Sequence, residues 1–406
     1  MIDRRTLLRA GGGLGLAVAG AGLWRAHDQG LLWSGEEPAL AAWQDWNDRR
    51  YIGPLSLVSA GLLASSPHNT QPWRFAVGRF GVDVFEVPER QLGAMDPFGR
   101  ERLAGLGAAV HNMALASTGL KRAARVKLLP DPAAPHHVAR ILLGPENSGP
   151  ASHALLSVIG RRHTHRGAWI GGRIAPARQA ALLAFPRPDD IQILLFDAGS
   201  AQGKRFAALT TEATAAIAGD VAMMEASHRW FRHEKSEADR FADGLTMRTS
   251  GVSPLLATLG SLLPAPSAMA EGQYWLDATR DTALPTASMF GLIVTPDPQD
   301  RRSAMLAGSA WQRLHLNATA LGLVAQPLNQ LPEMIDREAQ LGLRARFSRL
   351  ADALLPDPAL RPTFAFRLGF ADPALPALRR PVSAVLGPPA RMAFEVAQWR
   401  VAGGSF

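Results

Sequence analysis

Two stretches 201 residues apart in this chain carry the same helical pattern. Asp96-Pro97 and Asp297-Pro298 each open one. Gly107 then falls with Gly308, Ala109 with Ala310, Leu115 with Leu316, Thr118 with Thr319 and Leu120 with Leu321. Around both, the apolar periodicity gives the order strand, Asp-Pro, helix, strand. A repeat of that size constrains the chain to two related halves, each with its own sheet.

The remaining segments fit this plan. Glu36 to Ala64 reads as helical, and Arg74 to Val87 alternates as a β-hairpin turning near Arg79-Phe80-Gly81. The Asp96-Pro97 helix runs to about Ala124, followed by strands Arg125 to Leu129 and Val138 to Leu143. Gly144 to Pro150 is the strongest linker signal. Beyond it come a helix from Ala151 to Arg161, a strand from Ile191 to Phe196 and a helical stretch from Ser200 to Phe241. A strand from Ser288 to Thr295, a helix from Asp300 to Leu321 and a last strand from Thr363 to Gly369 complete the second half. The fold class is therefore α+β, with a first half over 36–145 and a second over 151–395. Residues 243–266 are punctuated by Gly and Pro and read as a mobile segment.

Charge and cysteine content exclude several functions. The net charge of +8 comes mostly from scattered arginines, without the basic runs of a nucleic-acid surface, and no nucleic-acid partner is expected. With no cysteine, thiolate catalysis, iron–sulfur clusters and disulfides are all excluded. The N-terminal segment 1–30 carries Arg4-Arg5 ahead of a Gly/Ala-rich run with six glycines between Gly11 and Gly22. It resembles a twin-arginine export signal, which implies the export machinery as a partner and a periplasmic or otherwise exported location. Retained rather than cleaved, the same segment would associate with a membrane.

Four constellations carry chemistry. Ser65-Ser66-Pro67-His68-Asn69-Thr70-Gln71-Pro72-Trp73 places hydroxyls and amides in a Pro-bounded turn between an apolar helix and a strand. Read from the residues alone, it is either a capped helix end or a polar wall for a planar ligand. Arg161-Arg162-His163-Thr164-His165-Arg166 crowds cations that need solvent or an anion, and Arg guanidinium suits phosphate. No carboxylates accompany His163 and His165, so no metal is expected there. Gly322 to Glu333 follows a long helix and reads as a loop. Arg367 and Leu378-Arg379-Arg380-Pro381 form a basic stretch near the C-terminus.

The run Ser-Pro-His-Asn-Thr-Gln-Pro-Trp-Arg-Phe resembles the hallmark of the FMN-dependent nitroreductase superfamily, and Arg-His-Thr-x-Arg resembles that family's phosphate-gripping element. The resemblance implies two nitroreductase-like halves fused in one chain as a pseudo-dimer, similar to the Acg-type branch. It implies FMN as cofactor, touched by Ser65, Ser66, Pro67, Asn69 and Gln71 on one wall. Arg162, His163, Thr164 and Arg166 would grip its phosphate end, helped by Arg379 or Arg380. Pro327, Leu328, Asn329 and Gln330 correspond to the loop near the reactive ring edge, where the family often has an acidic residue and Gly instead of Asn329-Gln330. The resemblance implies hydride transfer through FMN to a small acceptor such as a quinone or nitroaromatic. The alternative is a protein that stores FMN with little turnover, residues 243–266 serving as a lid. A single flavin and a monomer acting as its own dimer are expected. Neither a catalytic residue nor the electron donor is assigned.

Overall fold

The computed structural model describes Arg25, residues 37–150 and residues 152–388. The paired arginines of the N-terminal segment and the last residues of the second half lie outside this range. Among the described residues, no helix is long and apolar enough to cross a membrane.

Each half is a four-stranded antiparallel sheet with helices against it. In the first, β1 (Trp73–Gly78), β2 (Gly81–Glu86), β3 (Ala124–Leu128) and β4 (His137–Leu143) stand in the order β1-β2-β4-β3. In the second, β5 (Gln192–Asp197), β6 (Met289–Thr295), β7 (Val324–Pro327) and β8 (Arg361–Gly369) stand in the order β5-β6-β8-β7. The topology is the same, and in each half a long helix joins the second strand to the third.

Those helices, Arg100–Ala116 (α1) and Arg301–Ala320 (α2), are the pair expected from the repeat. Carboxylates satisfy their first amides: Asp96 accepts from Glu101 N and Arg102 N at 3.0 and 2.9 Å, and Asp300 from Ser303 N at 2.7 Å. The two cross where Gly107 and Gly308 fall. A Cβ on Gly107 would lie 1.9 Å from the Met305 carbonyl oxygen, and one on Gly308 would lie 1.9 Å from that of Ala104. The contact is reciprocal, because Ala104 and Met305 are themselves 201 residues apart. The cores interlock at the same place: Met305 belongs to the core cluster that holds Trp73, Phe75, Leu106 and Ile141 of the first half, and Ala104 to the cluster that holds Trp311, Leu314 and Phe366 of the second.

Several elements differ from expectation. The helical stretch 36–64 breaks into Ala41–Asp45 and Pro54–Gly61, interrupted where Gly53 takes a positive φ ahead of Pro54. The 200–241 stretch is three helices, Ala201–Gly219, Val221–His228 and Lys235–Phe241, with Asp220 starting the second by accepting from Met223 N at 3.1 Å. Residues 154–161 are 3-10 rather than α-helical. The 322–333 segment is not a loop throughout. Val324–Pro327 is the edge strand β7, where Pro327 costs no inner ladder bond, and a helix begins at Gln330. Residues 243–266 include the helix Pro254–Ser261 and begin at a buried Asp243, held by Arg90 and Arg232.

Candidate functional site

The Ser65–Trp73 turn is strained and held from outside. His68, Asn69 and Gln71 have φ of 44°, 55° and 50°, a left-handed region that side chains disfavour. Distant segments fix it there. Asn69 Nδ2 donates to the Gly244 and Leu378 carbonyls at 3.1 and 2.9 Å. Gln71 Nε2 donates to the Ala242 carbonyl at 2.9 Å, and Gln71 Oε1 accepts from Arg380 N at 2.9 Å. His68 Nε2 meets Ser227 Oγ at 2.8 Å. Ser66 Oγ accepts from Gln71 N, while Ser65 Oγ lies 3.2 Å from Gln312 Oε1 and accepts from Trp311 Nε1. Ser66 and Pro67 lie against Gly105 of α1, where a Cβ would come within 3.2 Å of either.

Beside this turn, between the halves, stand three arginines. Arg379, 3% exposed, donates from one Nη to Asn69 Oδ1 at 2.6 Å and from the other to the Ala64 carbonyl at 3.1 Å. Arg162, 2% exposed, donates to the Leu63 carbonyl at 3.0 Å and stands 3.3 Å from His315 Nδ1. Arg166 donates to the Thr249 carbonyl at 3.1 Å. Among the described residues, no carboxylate offsets their charge. Burial pushes Arg162 and Arg166 down to about 10, with Arg166 adding to the shift on Arg162. Burial, then the charges of Arg162 and Arg166, pushes Arg379 well below its usual range. His163 is pushed down to about 3 by burial and by Arg162 and Arg379, and His68 to about 4 by burial and Arg166. The Nε atoms of Arg162 and Arg379 and Nδ1 of His163 are buried without a partner. Trp43 covers the cluster, its ring 4.6 Å from the Arg379 guanidinium and 5.8 Å from that of Arg162.

The structure thus gathers Ser65, Ser66, Asn69 and Gln71 with Arg162, His163, Arg166 and Arg379. It separates the two candidate C-terminal arginines: the Arg380 side chain turns to the Ala384 carbonyl at 2.6 Å and contributes only its backbone to the turn. Thr164 forms a bridge with Ala325 at the β7 edge. Arg367 is a backbone staple, donating to the Gly167 and Arg166 carbonyls at 2.9 and 3.3 Å and to Gln326 Oε1 at 2.7 Å.

Among the described residues, no hydrogen bond joins Pro327 to Gln330 to Arg162, Arg166 or Arg379. Leu328 N and Asn329 Oδ1 bond the Ala365 backbone, and Gln330 Oε1 is buried without a partner. Here Arg100 binds Asp336 at 2.7 Å and approaches Glu101 at 3.4 Å. Burial, with Asp96 nearby, pushes Glu101 up to about 7, and burial beside Glu101 pushes Glu333 well above the usual carboxylate range. The Glu101 and Glu333 side chains are hydrogen-bonded to each other, while Glu333 Oε2 is buried without a partner. Gly105, one helical turn from Glu101, links this acidic end to Ser66 and Pro67.

Sequence reasoning missed Trp43, His315, Glu101 and Glu333, which come from separate elements and share no spacing. It also missed His228, His233 and Glu271, whose ligand atoms lie within 4.8 Å of one another.

Fold and site define an α+β chain of two like halves with a buried, uncompensated cationic cluster between them. No family model matches it. A Mycobacterium tuberculosis protein named as an NAD(P)H nitroreductase, Rv3131, is 28% identical over 275 residues, covering 68% of this chain and 75% of that protein. The protein named acg from the same organism, also as an NAD(P)H nitroreductase, is 35% identical over 100 residues, covering 25% of this chain and 30% of its own. Among solved structures, a nitroreductase with bound FMN from Bacteroides fragilis aligns with a TM-score of 0.33 and 14% identity, over 56% of this chain and 95% of that one.

Proposed function

We propose that the chain is an exported, FMN-binding oxidoreductase of nitroreductase type, its two halves acting as a fused pseudo-dimer around one flavin. The observation that carries this reading is the cationic cluster. Three arginines with no carboxylate partner among the described residues, two of them with orphaned buried Nε atoms, form a receptor for a dianionic phosphate. The adjoining turn matches the family hallmark, and the names of the curated relatives agree. Export rests on the Arg4-Arg5 segment alone.

In this reading Arg162, Arg166 and Arg379 hold the phosphate, and Asn69 holds Arg379 in place. The strained turn sets its polar groups in advance, so little ordering remains to be done on binding. FMN, when bound, supplies two-electron hydride chemistry. The Glu101–Glu333 pair keeps a proton beside Asn329 and Gln330, the segment assigned to the ring edge. NAD(P)H, named for the relatives, is the donor to try first, and a quinone or nitroaromatic the acceptor.

Storage of FMN is the second reading, favoured by the closure of the cluster under Trp43, whose Nε1 donates to the Ala377 carbonyl at 2.7 Å. Purified protein should be yellow and release FMN on denaturation. Reduction by NAD(P)H or dithionite followed by addition of quinone or nitroaromatic separates the two: reoxidation by an acceptor supports the enzyme, and failure with every acceptor supports storage. Arg162→Ala with Arg166→Ala should weaken FMN retention at least about 100-fold, since each lost contact involves a full charge. Asn69→Ala should cost less, because it loosens Arg379 without removing it. Equal retention in both variants would refute the phosphate assignment.

A further inference from the structure

We infer that His228, His233 and Glu271 form a binding site for a divalent transition metal of the zinc type. His228 ends the helix Val221–His228, His233 follows five residues later, and Glu271 lies in the first turn of the helix Ala268–Ala278. One carboxylate faces both rings: His228 Nδ1 is 2.9 Å from Glu271 Oε2, and His233 Nε2 is 3.0 Å from Glu271 Oε1. All three residues are partly buried, with His233 and Glu271 side chains only 15% and 14% exposed.

The second contact identifies the ligand. At 3.0 Å, His233 Nε2 and Glu271 Oε1 are close enough to bond, yet both are buried and neither has a hydrogen-bond partner, because their geometry is not aligned for one. In this misaligned geometry a proton on one atom does not point at the other, whereas a metal ion held by both takes both lone pairs. Zinc takes His nitrogen and carboxylate oxygen at about 2.0–2.2 Å, so ligand atoms already gathered within 4.8 Å need only small adjustments. Two imidazoles with one carboxylate suit zinc and its neighbours better than calcium or magnesium, which prefer all-oxygen sets. Three protein ligands leave a fourth position for water. Phe231 stacks on His233 at 4.7 Å and holds the ring in place.

The site braces the segment that holds the Asn69 turn. Ser227, beside His228, bonds His68. Arg232, beside His233, binds Asp243 at 2.6 Å, and Ala242 and Gly244 supply the carbonyls that Gln71 and Asn69 use. Metal bound to His228, His233 and Glu271 therefore ties two helices and this wall together. The inference stands independently of any flavin.

The test uses tag-free full-length protein, freed of metal by a chelator and titrated with Zn²⁺ in a calorimeter and with Co²⁺ by visible absorbance. One equivalent should bind with micromolar or tighter affinity. Zn²⁺ should displace Co²⁺ and raise the melting temperature by several degrees. Glu271→Gln and His233→Gln should each weaken binding at least about 100-fold and abolish the thermal gain. Their metal-free melting curves should stay near that of the parent chain. Should a variant fail to fold, the stoichiometry and Co²⁺ spectrum of the parent chain decide alone. Absence of stoichiometric binding at 100 µM metal, on the order of weak surface sites, or equal binding by folded variants, overturns the inference.

Discussion

Glu101 is a carboxyl group with an ordinary value of 4.5, held in the fold at about 7 because burial and Asp96 outweigh the help of Arg100. The consequence for stability has a definite sign. Between these two values the unfolded chain has already lost the Glu101 proton while the folded chain keeps it, so stability falls as pH rises through the window. Above about pH 7 the cost is fully present, and below about 4.5 it is absent. Gln is a permanently neutral copy of the protonated acid. Glu101→Gln should therefore stabilise the protein at pH 8 by up to about 3 kcal/mol, the shift converted at 1.36 kcal/mol per pKa unit. The gain should fade to nothing near pH 4.5. Denaturant unfolding at several pH values checks this, and a constant difference across the range would show that Glu101 is ionised in the fold. Little of this could be read from sequence. Glu101 follows an Asp-Pro helix start and looks like an ordinary first-turn acid, while Glu333 and Asn329 arrive from more than 200 residues away. The Ser65–Trp73 turn was legible because its prolines, hydroxyls and amides are contiguous.

At the scale of elements, the two long helices show why the repeat could be recognised. Their glycines keep the same spacing because two backbones touch there, and a side chain at either position has nowhere to go. Gly107→Ala and Gly308→Ala should each destabilise the protein by about 1–3 kcal/mol or more, the usual cost of overpacking. Near-equal losses in thermal or denaturant melts are the mark of a reciprocal contact. A large loss at one glycine with none at the other would refute it. Elements set by tertiary contact were harder to read. β7 is four residues long with Gln326 and Pro327 inside it, and only its pairing with β8 makes it a strand. The stretch after Ser200 has continuous helical composition; its first break follows from the Asp220 cap, and its second contains the bridge of Phe231 to Leu245. Residues 243–266 showed their Gly and Pro to sequence reading, but not the Arg90–Asp243–Arg232 anchor that fixes their beginning.

For the whole molecule, repetition of the halves in one chain changes what dilution can do. In the proposed pseudo-dimer, the turn around Asn69 comes from the first half and Arg162, Arg166 and Arg379 from the second, and the backbone joins them permanently. The halves share their fold but not this site. The segment before β1 carries Arg50, an exposed cation paired with Asp45 and Asp48, and among its described residues no arginine is buried as Arg162 and Arg379 are. One FMN per chain is therefore expected, with a single-chain mass by light scattering. Two subunits that share a flavin site lose it when dilution separates them, whereas a site within one chain feels dilution only through loss of the ligand itself. Retention measured by flavin fluorescence, at fixed free FMN, should stay unchanged over a dilution of about 100-fold. Two flavins per chain would show that the first half builds its own phosphate grip. Retention that falls with protein concentration would place part of the site on a second copy, and the covalent pairing of the two halves would then explain only their packing.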